Sequence, residues 1–190
     1  MKASNQLSEM ARLIEAVEFA SRKHSTQRRK DADASPYINH PIAVAAVLAV
    51  EAGVSDLTTL QAAILHDTIE DTETSYEELV GRFGAAVAGV VMEVTDDKTL
   101  PKAERKHLQV AHAHMKSPQA AIIKLADKIC NLRDIASSPP ANWSDQRKRE
   151  YFEWAKAVVD ELLGTDNNLR VLFDLAYAAG NQVGAMEGAI

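Results

Sequence analysis

The chain has 190 residues, of which 46% are hydrophobic and 25% charged, a composition typical of a globular protein rather than a disordered one. The 21 basic and 27 acidic residues give a net charge of −6, which argues against a general nucleic-acid binder. The single cysteine, Cys130, excludes an intramolecular disulfide and fits a reducing compartment. Because we find neither a signal-peptide core nor an apolar run near the ~20 residues of a membrane span, we expect a cytoplasmic protein with no membrane partner.

Hydrophobic periodicity and capping residues predict helices along nearly the whole chain. We find no strand alternation and no internal repeat, so the predicted fold class is an all-α bundle of roughly eight to ten helices in a single domain, 1–190. The core covers about 8–163, and we expect the tail 180–190 to be partly mobile. The predicted helices, in chain order, are 8–24, 41–52, 56–70, 76–83, 85–95, 101–114, 118–135, 144–163 and 166–177.

The most informative motif is the run of six residues from His66 to Asp71. On a continuous helix, His66 and Glu70 share a face, and Asp67 and Asp71 repeat that relation one residue later. The apolar run 60–65 before it should bury this helix, and a buried imidazole beside carboxylates is costly unless it is paired or metal-bound. On its own, the pair His66-Asp67 is more typical of an ordinary helix end, in which the acids are solvated and the histidine packs in the core.

Two further polar residues favour a metal site. Pro41 suits the first position of a helix, which places His40 directly before the N-terminal end of that helix. Asp127 interrupts the apolar stripe of a later amphipathic helix. Together with His66 and Asp67, these residues would form a mixed nitrogen and oxygen site for Mn²⁺, Fe²⁺ or Zn²⁺ rather than Ca²⁺. The ligand types do not separate these three metals.

In this order, His40, the His66-Asp67 pair and Asp127 resemble the ligand pattern of the HD-domain phosphohydrolase superfamily. The string 66–72 is similar to the hydrolase domain of the alarmone enzymes RelA and SpoT. It is closer still to the stand-alone small alarmone hydrolases, the metazoan SpoT homologue family. The other segments that carry this resemblance are Arg28-Arg29-Lys30-Asp31, Pro36-Tyr37-Ile38-Asn39-His40-Pro41, Glu93-Val94-Thr95-Asp96-Asp97-Lys98, Lys124-Leu125-Ala126-Asp127-Lys128 and Tyr151-Phe152-Glu153-Trp154-Ala155.

The resemblance implies an HD-domain helical bundle that binds one divalent metal ion, most often Mn²⁺. The implied reaction removes the 3′-pyrophosphate of guanosine tetra- or pentaphosphate, yielding GDP or GTP and pyrophosphate. Glu70 and Asp71 would act as general acid and base, and the sequence leaves open which does which. The residues predicted to contact this nucleotide are Arg29, Lys30, Lys102, Asn131, Arg147 and Tyr151. Since the chain is too short to include a synthetase domain, we expect hydrolysis without synthesis.

Three alternatives remain open at this point. The same site could act on NADPH or another 2′- or 3′-phosphorylated nucleotide, or the protein could be a non-catalytic alarmone sensor. A purely structural helical bundle would explain the apolar stripes but not an aspartate within one of them. Among the other polar residues, we expect Arg105 and Lys106 to lie on an exposed helix face, and His107, His112 and His114 to be solvated. The oligomeric state is not readable from apolar helix faces.

Overall fold

The protein is described by a computed structural model for residues 7–165 and 167–186, with side chains described as far as residue 180. Within these residues the regular structure is helical, apart from an isolated bridge between Arg28 and Pro36, so the all-α prediction is confirmed. The helices are α1 (Glu9–Lys23), α2 (Asn39–Ala46, continued by a π-turn at Val47–Glu51), α3 (Leu57–Leu65), α4 (Thr68–Asp71), α5 (Tyr76–Phe83), α6 (Ala85–Val94), α7 (Lys102–Ala111, followed by a 3₁₀ turn at Ala113–Met115), α8 (Pro118–Ser137), α9 (Asp145–Asp160) and α10 (Asn167–Met186).

Serine side chains begin several of these helices where the sequence predicted them. The hydroxyls of Ser8, Ser75 and Ser144 each accept a hydrogen bond from the backbone N–H three residues later, at 3.1–3.3 Å. Each bond satisfies an amide that has no partner inside the helix. Gly84 ends α5 with a φ of +87°, a conformation that glycine adopts without steric cost. The predicted cap Asp166 lies outside the described residues.

Helices α3 and α8 form the centre of the bundle. Residues 59–65 of α3 are all buried, and α8 is buried along most of its length. Helix α8 packs against α2, α3, α6, α9 and α10. Because both central helices run through the apolar core, the polar residues at the end of α3 and in the middle of α8 are held in the interior. This arrangement places His66 and Asp127 within one buried region.

The predicted helix 56–70 is wrong in one respect, because the chain leaves the α-helix at His66 and Asp67. His66 Nδ1 donates to the carbonyl of Ala63 at 2.8 Å, and the Thr68 hydroxyl donates to the carbonyl of Leu65 at 2.6 Å. These side chains bond carbonyl groups that a continuing helix would offer to backbone N–H groups. The sequence pattern did not reveal this local competition.

Two other helix boundaries also differ from the predictions. Helix α2 begins at Asn39, so Pro41 is its third residue rather than its first and His40 lies inside the first turn. A proline is tolerated there because the first-turn N–H groups have no intrahelical partner. Helix α10 continues to Met186 instead of ending at Tyr177, so part of the predicted tail is helical. None of the helices in the described residues combines the length and the hydrophobicity that a membrane-spanning segment requires.

Candidate metal centre and active site

Four side chains from three parts of the chain meet in the buried centre. His40 comes from the first turn of α2, His66 and Asp67 from the break after α3, and Asp127 from α8. Asp67 Oδ2 lies 3.0 Å from His66 Nε2 and 3.9 Å from His40 Nε2. His40 Nε2 lies 3.1 Å from Asp127 Oδ1. The donor atoms of His40, His66 and Asp67 are close enough to hold a single ion.

The geometry of His66 fits a metal ligand. Its Nδ1 is occupied by the carbonyl of Ala63, which leaves Nε2 as the available nitrogen. That nitrogen is buried and has no hydrogen-bond partner among the described residues, although the Asp67 carboxylate is 3.0 Å away. A buried polar atom without a partner is costly, and a cation between the two groups would remove that cost. A carbonyl on the second ring nitrogen is also a common way of orienting a ligating histidine.

Electrostatics in the cluster favour a cation as well. Burial lowers the pKa of His66, but Asp67 and Asp127 outweigh it and raise that pKa from 6.5 to about 9. Burial raises the pKa of Asp67, but His66 and His40 hold it below its usual range. The pKa of Asp127 is likewise low, because Lys128 and the two histidines overcome its burial. The centre therefore attracts positive charge, which a proton or a metal ion can supply.

Asp127 is fixed by two neighbours on its own helix. Lys128 donates to Oδ2 at 3.0 Å, and Asn131 donates to Oδ1 at 2.6 Å. Lys128 is itself buried, and its ammonium group lies 4.5 Å from the centre of the Trp154 ring. Asn131, which was predicted to contact the nucleotide, thus also orients a candidate ligand.

The acid pair Glu70 and Asp71 lies on the short helix α4, and the two carboxylates have different surroundings. Glu70 accepts a hydrogen bond from the backbone N–H of Asp96 at 3.1 Å and lies 3.7 Å from Arg105. Burial raises the pKa of Glu70 above its usual value, with Asp67 adding to the effect. Asp71 instead accepts from the Gln27 amide at 2.8 Å and pairs with Lys98.

Two adjoining cavities, of about 860 and 660 Å³, open onto this centre. Glu70 lines the larger cavity and Asp71 the smaller one, so the two acids face different spaces. The residues that line both cavities are Lys30, Tyr37, His40, Asn131, Trp143 and Tyr151. Of the candidate ligands, His40 lines both cavities, whereas Asp67 and Asp127 line the larger one.

Basic side chains line the walls, and their placement corrects one prediction. Lys102 and Arg147 line the larger cavity, whereas Arg29 lines the smaller one, paired with Asp134. Arg105 and Lys106 were expected on an exposed helix face, but both line the larger cavity. Helix α7 packs against α9, which turns this face toward the cavity.

Comparison with known proteins identifies the family. The sequence profile of the HD domain matches residues 16–153. The chain belongs to the HD-domain family. The chain is 57% identical to guanosine-3′,5′-bis(diphosphate) 3′-pyrophosphohydrolase MESH1 of Homo sapiens, over 85% of this chain and 90% of the relative. It is 49% identical to the Drosophila melanogaster protein of the same name, over 86% and 92%. A solved structure, described as a metazoan ortholog of SpoT that hydrolyzes ppGpp, superposes with a TM-score of 0.86 at 46% identity, covering 92% of this chain and 97% of that one.

Membership of the HD-domain family implies a divalent metal ion, in agreement with the cluster around His66. Three other histidines, His107, His112 and His114, are exposed as predicted. Cys130 is buried, and burial raises the pKa of its thiol to about 12, as expected for an inert core residue.

Sequence reasoning missed an aromatic wall in this HD domain. Tyr151 lies between Trp143 and Trp154, with ring centroids 5.6 and 5.2 Å apart. Lys106 lies 4.5 Å from the centre of the Trp154 ring, and Arg147 lies 4.5 Å from that of Trp143. The spacing of Tyr151 and Trp154 on one helix was a usable signal. Trp143 follows a pair of prolines in a loop, where sequence periodicity does not predict the direction in which a side chain points.

Proposed function

We propose that this protein is a metal-dependent guanosine-3′,5′-bis(diphosphate) 3′-pyrophosphohydrolase, which converts guanosine tetra- or pentaphosphate and water to GDP or GTP and pyrophosphate. The observation that carries the proposal is the buried Nε2 of His66, which has no hydrogen-bond partner among the described residues and lies 3.0 Å from the Asp67 carboxylate. The acid pair Glu70 and Asp71 follows on the next helix, α4. The relatives named for this activity match over most of their length. A sensor would need the pocket but not two separately held carboxylates beside the candidate ligands.

The proposed cofactor is one divalent ion held by His40, His66, Asp67 and Asp127. Two imidazoles and two carboxylates suit Mn²⁺, Fe²⁺ and Zn²⁺, and the family resemblance favours Mn²⁺ among them. When bound, such an ion lowers the pKa of a water molecule and withdraws charge from a phosphoryl oxygen. The test of the metal is activity after removal by a chelator and addition of each ion in turn, with Ca²⁺ as the ion expected to fail.

The proposed reaction breaks the bond between the ribose 3′-oxygen and its phosphorus. The oxygen of water forms the new bond to that phosphorus, and the ribose 3′-oxygen is the leaving group. The released pyrophosphate therefore carries the oxygen of water. One proton passes from water to a carboxylate, and the 3′-oxygen gains one, so the proton count balances. Glu70 and Asp71 are the groups proposed for these transfers, since each faces one of the two cavities beside the ligands.

The proposed substrate contacts follow the walls of the cavities. Lys30, Asn131 and Tyr151 line both spaces, so they would contact the part of the nucleotide nearest the metal. Lys102 and Arg147 supply positive charge to the larger cavity, which suits a phosphate chain. Burial and the neighbouring charges of Arg147 and Lys30 lower the pKa of Lys102, and a bound phosphate would relieve this repulsion. Arg29 would contact the nucleotide from the smaller cavity.

The experiment that tests the function is product analysis by anion-exchange chromatography. Purified protein with Mn²⁺ receives guanosine tetraphosphate or NADPH in separate reactions, and the Glu70→Ala variant serves as the blank. GDP and pyrophosphate from the first reaction are the expected products. NADH and phosphate from the second reaction alone would assign the site to a nucleotide 2′-phosphatase. Binding of guanosine tetraphosphate without turnover would assign the protein as a sensor.

A further inference from the structure

A buried polar chain connects the end of α1 to the acid pair. His24, at the C-terminal end of α1, is 1% exposed, and its Nδ1 lies 2.6 Å from Gln27 Oε1. The amide nitrogen of Gln27 donates to Asp71 Oδ2 at 2.8 Å. The other oxygen of Asp71 is paired with Lys98. Asp71 is therefore held at both oxygens, from the inside by a neutral amide and from the outside by a lysine.

The direction of these hydrogen bonds is fixed by chemistry. A carboxylate accepts hydrogen bonds, so the Gln27 group that faces Asp71 must be its NH₂. The amide oxygen then faces His24 and requires a donor, which places a proton on Nδ1 of the imidazole. The order of donation therefore runs from His24 through Gln27 to Asp71. If the Gln27 amide turned over, its oxygen would face the carboxylate and the bond to Asp71 would be lost.

Backbone hydrogen bonds hold Gln27 in place. Its N–H donates to the carbonyl of His24 at 3.0 Å, and its own carbonyl accepts from the N–H of Tyr37 at 3.1 Å. The rings of His24 and Tyr37 are in contact, with centroids 5.0 Å apart. Tyr37 in turn donates to Asp67. One segment, 24–37, thus holds both a candidate metal ligand and one member of the acid pair.

We propose that His24 and Gln27 are positioning residues that set the direction of the Asp71 carboxylate toward the smaller cavity. This inference rests on the proposed function, because Asp71 is assigned to proton transfer there. Neither residue is a candidate metal ligand, and neither would exchange a proton with the substrate. Their effect passes through Asp71, since the Gln27 amide holds one carboxylate oxygen and the other is held by Lys98, whose side chain is about half exposed.

The first test is a double-mutant cycle. Gln27→Met keeps the length of the side chain but removes both hydrogen bonds, and we expect it to lower kcat by about 10- to 100-fold with metal content unchanged. In the Asp71→Asn background the same substitution should change kcat by less than about twofold, because the residue it positions is already disabled. Gln61→Met is the matched control. Gln61 is a buried glutamine that donates to the backbone carbonyl of Arg12 and lines neither cavity.

A purely structural role predicts a different result. Gln27→Met would then change kcat by the same factor in both Asp71 backgrounds, or Gln61→Met, which also removes a buried hydrogen bond, would lower kcat as much as Gln27→Met does. Either observation would overturn the proposal. His24 offers a rescue experiment, because an asparagine amide can occupy the position of Nδ1. We expect His24→Leu to reproduce the loss in kcat and His24→Asn to restore most of it; equal loss in both variants would also overturn the proposal.

The failure of the proposed function can be recognised separately. The side-chain amide protons of Gln27 can be followed by NMR without any substrate, and we expect their resonance to move in Asp71→Ala. If the wild-type protein does not hydrolyse guanosine tetraphosphate but this resonance still moves, the proposed function is wrong and the hydrogen-bonded chain stands. If the resonance does not move, Gln27 does not contact Asp71, and the positioning role is wrong whatever the substrate.

Discussion

The Tyr37 hydroxyl donates a hydrogen bond to Asp67 across 2.5 Å, which connects the loop after α1 to a candidate metal ligand. Burial raises the pKa of Tyr37 far above its usual value, and the charges of Asp67 and Asp71 add to the effect. The hydroxyl therefore keeps its proton and remains a donor. It contacts the same oxygen of Asp67 that faces His66, so it limits the directions that this carboxylate can take.

Tyr37→Phe should therefore weaken metal binding by about 10- to 100-fold, the usual cost of removing a group that orients a ligand. The affinity can be measured by competition with a chelating dye. Tyr76→Phe is the control, because Tyr76 lies on the exposed surface at the start of α5. Equal affinity in the two variants would contradict an orienting role for Tyr37.

Removal of a ligand and removal of a proton-transfer group should give different phenotypes. We expect His66→Ala and Asp127→Ala to lose the bound metal and all turnover. Glu70→Ala should retain the metal but stop turnover, since Glu70 is not among the candidate ligands. The measurement is metal content by mass spectrometry together with product analysis. An unchanged metal-to-protein ratio in His66→Ala and Asp127→Ala would show that the ion binds elsewhere.

Metal affinity should increase with pH between about 7 and 9. The pKa of His66 in the metal-free protein is raised to about 9, so a metal ion must displace a proton at neutral pH. For one displaced proton, affinity rises by about tenfold per pH unit and becomes constant above the pKa of His66. Calorimetry in buffers with different ionisation enthalpies would count the released proton. An affinity that is the same at pH 7 and pH 9 would contradict this coupling.

The stability of the metal-free protein should decrease with rising pH, whereas the metal affinity increases. A group whose pKa is raised on folding stabilises the folded state fully below its unfolded pKa, which is 6.5 for His66. This stabilisation is lost as the pH rises toward 9. We therefore expect the metal-free melting temperature to fall across this interval and the metal-loaded one to fall less. Melting curves at matched ionic strength would compare the two forms.

Lys106 should contribute to substrate binding more than to the chemical step. Burial and the neighbouring charges of Lys102 and Lys128 lower its pKa, which a bound phosphate would offset. We expect Lys106→Met to raise KM by about tenfold with a smaller change in kcat, the pattern for a group that binds substrate and transition state alike. Lys156→Met is the control, because Lys156 pairs with Asp160 away from both cavities. A loss confined to kcat would contradict the assignment.

Gly180 on α10 should not tolerate a side chain. A Cβ atom at this position would lie 1.8 Å from a ring carbon of Phe152, which is buried on α9. Gly180→Ala should lower the free energy of unfolding by about 1–3 kcal/mol, the usual cost of overpacking. Gly81→Ala is the control, since a Cβ there meets no atom within 4 Å and alanine favours the helix. Denaturant titrations of the two variants would test the difference, and equal stability would contradict the contact.

The helices and the candidate ligands could be predicted from the sequence because both depend on local pattern. Serine caps and helical periodicity predicted most helix starts, although α2 begins two residues earlier than expected, and the polar interruptions at His66 and Asp127 indicated a buried site. The break at His66 and Asp67 could not be predicted, since it depends on side chains that bond the carbonyls of α3. Similarly, Arg105 faces the cavity because of the packing of α7 on α9, which no property of α7 alone reveals.

The roles of Glu70 and Asp71 could not be separated from the sequence for a related reason. On an ideal helix, adjacent acids differ only by a rotation of 100°. In the folded chain, the partners of Glu70 come from α7 and the loop before it, whereas Gln27 comes from the loop after α1. These contacts join residues that are distant in sequence, so periodicity carries no information about them.

The Nδ1 of His66 satisfies the carbonyl of Ala63 at the end of α3, and the same bond turns Nε2 toward the carboxylates. Formation of the helix end and orientation of the ligand are therefore one event in folding. The imidazole ring is aligned before any ion arrives, so ion capture should require little rearrangement of the chain. In such a centre, metal exchange would be limited by the loss of water and protons, rather than by movement of the backbone.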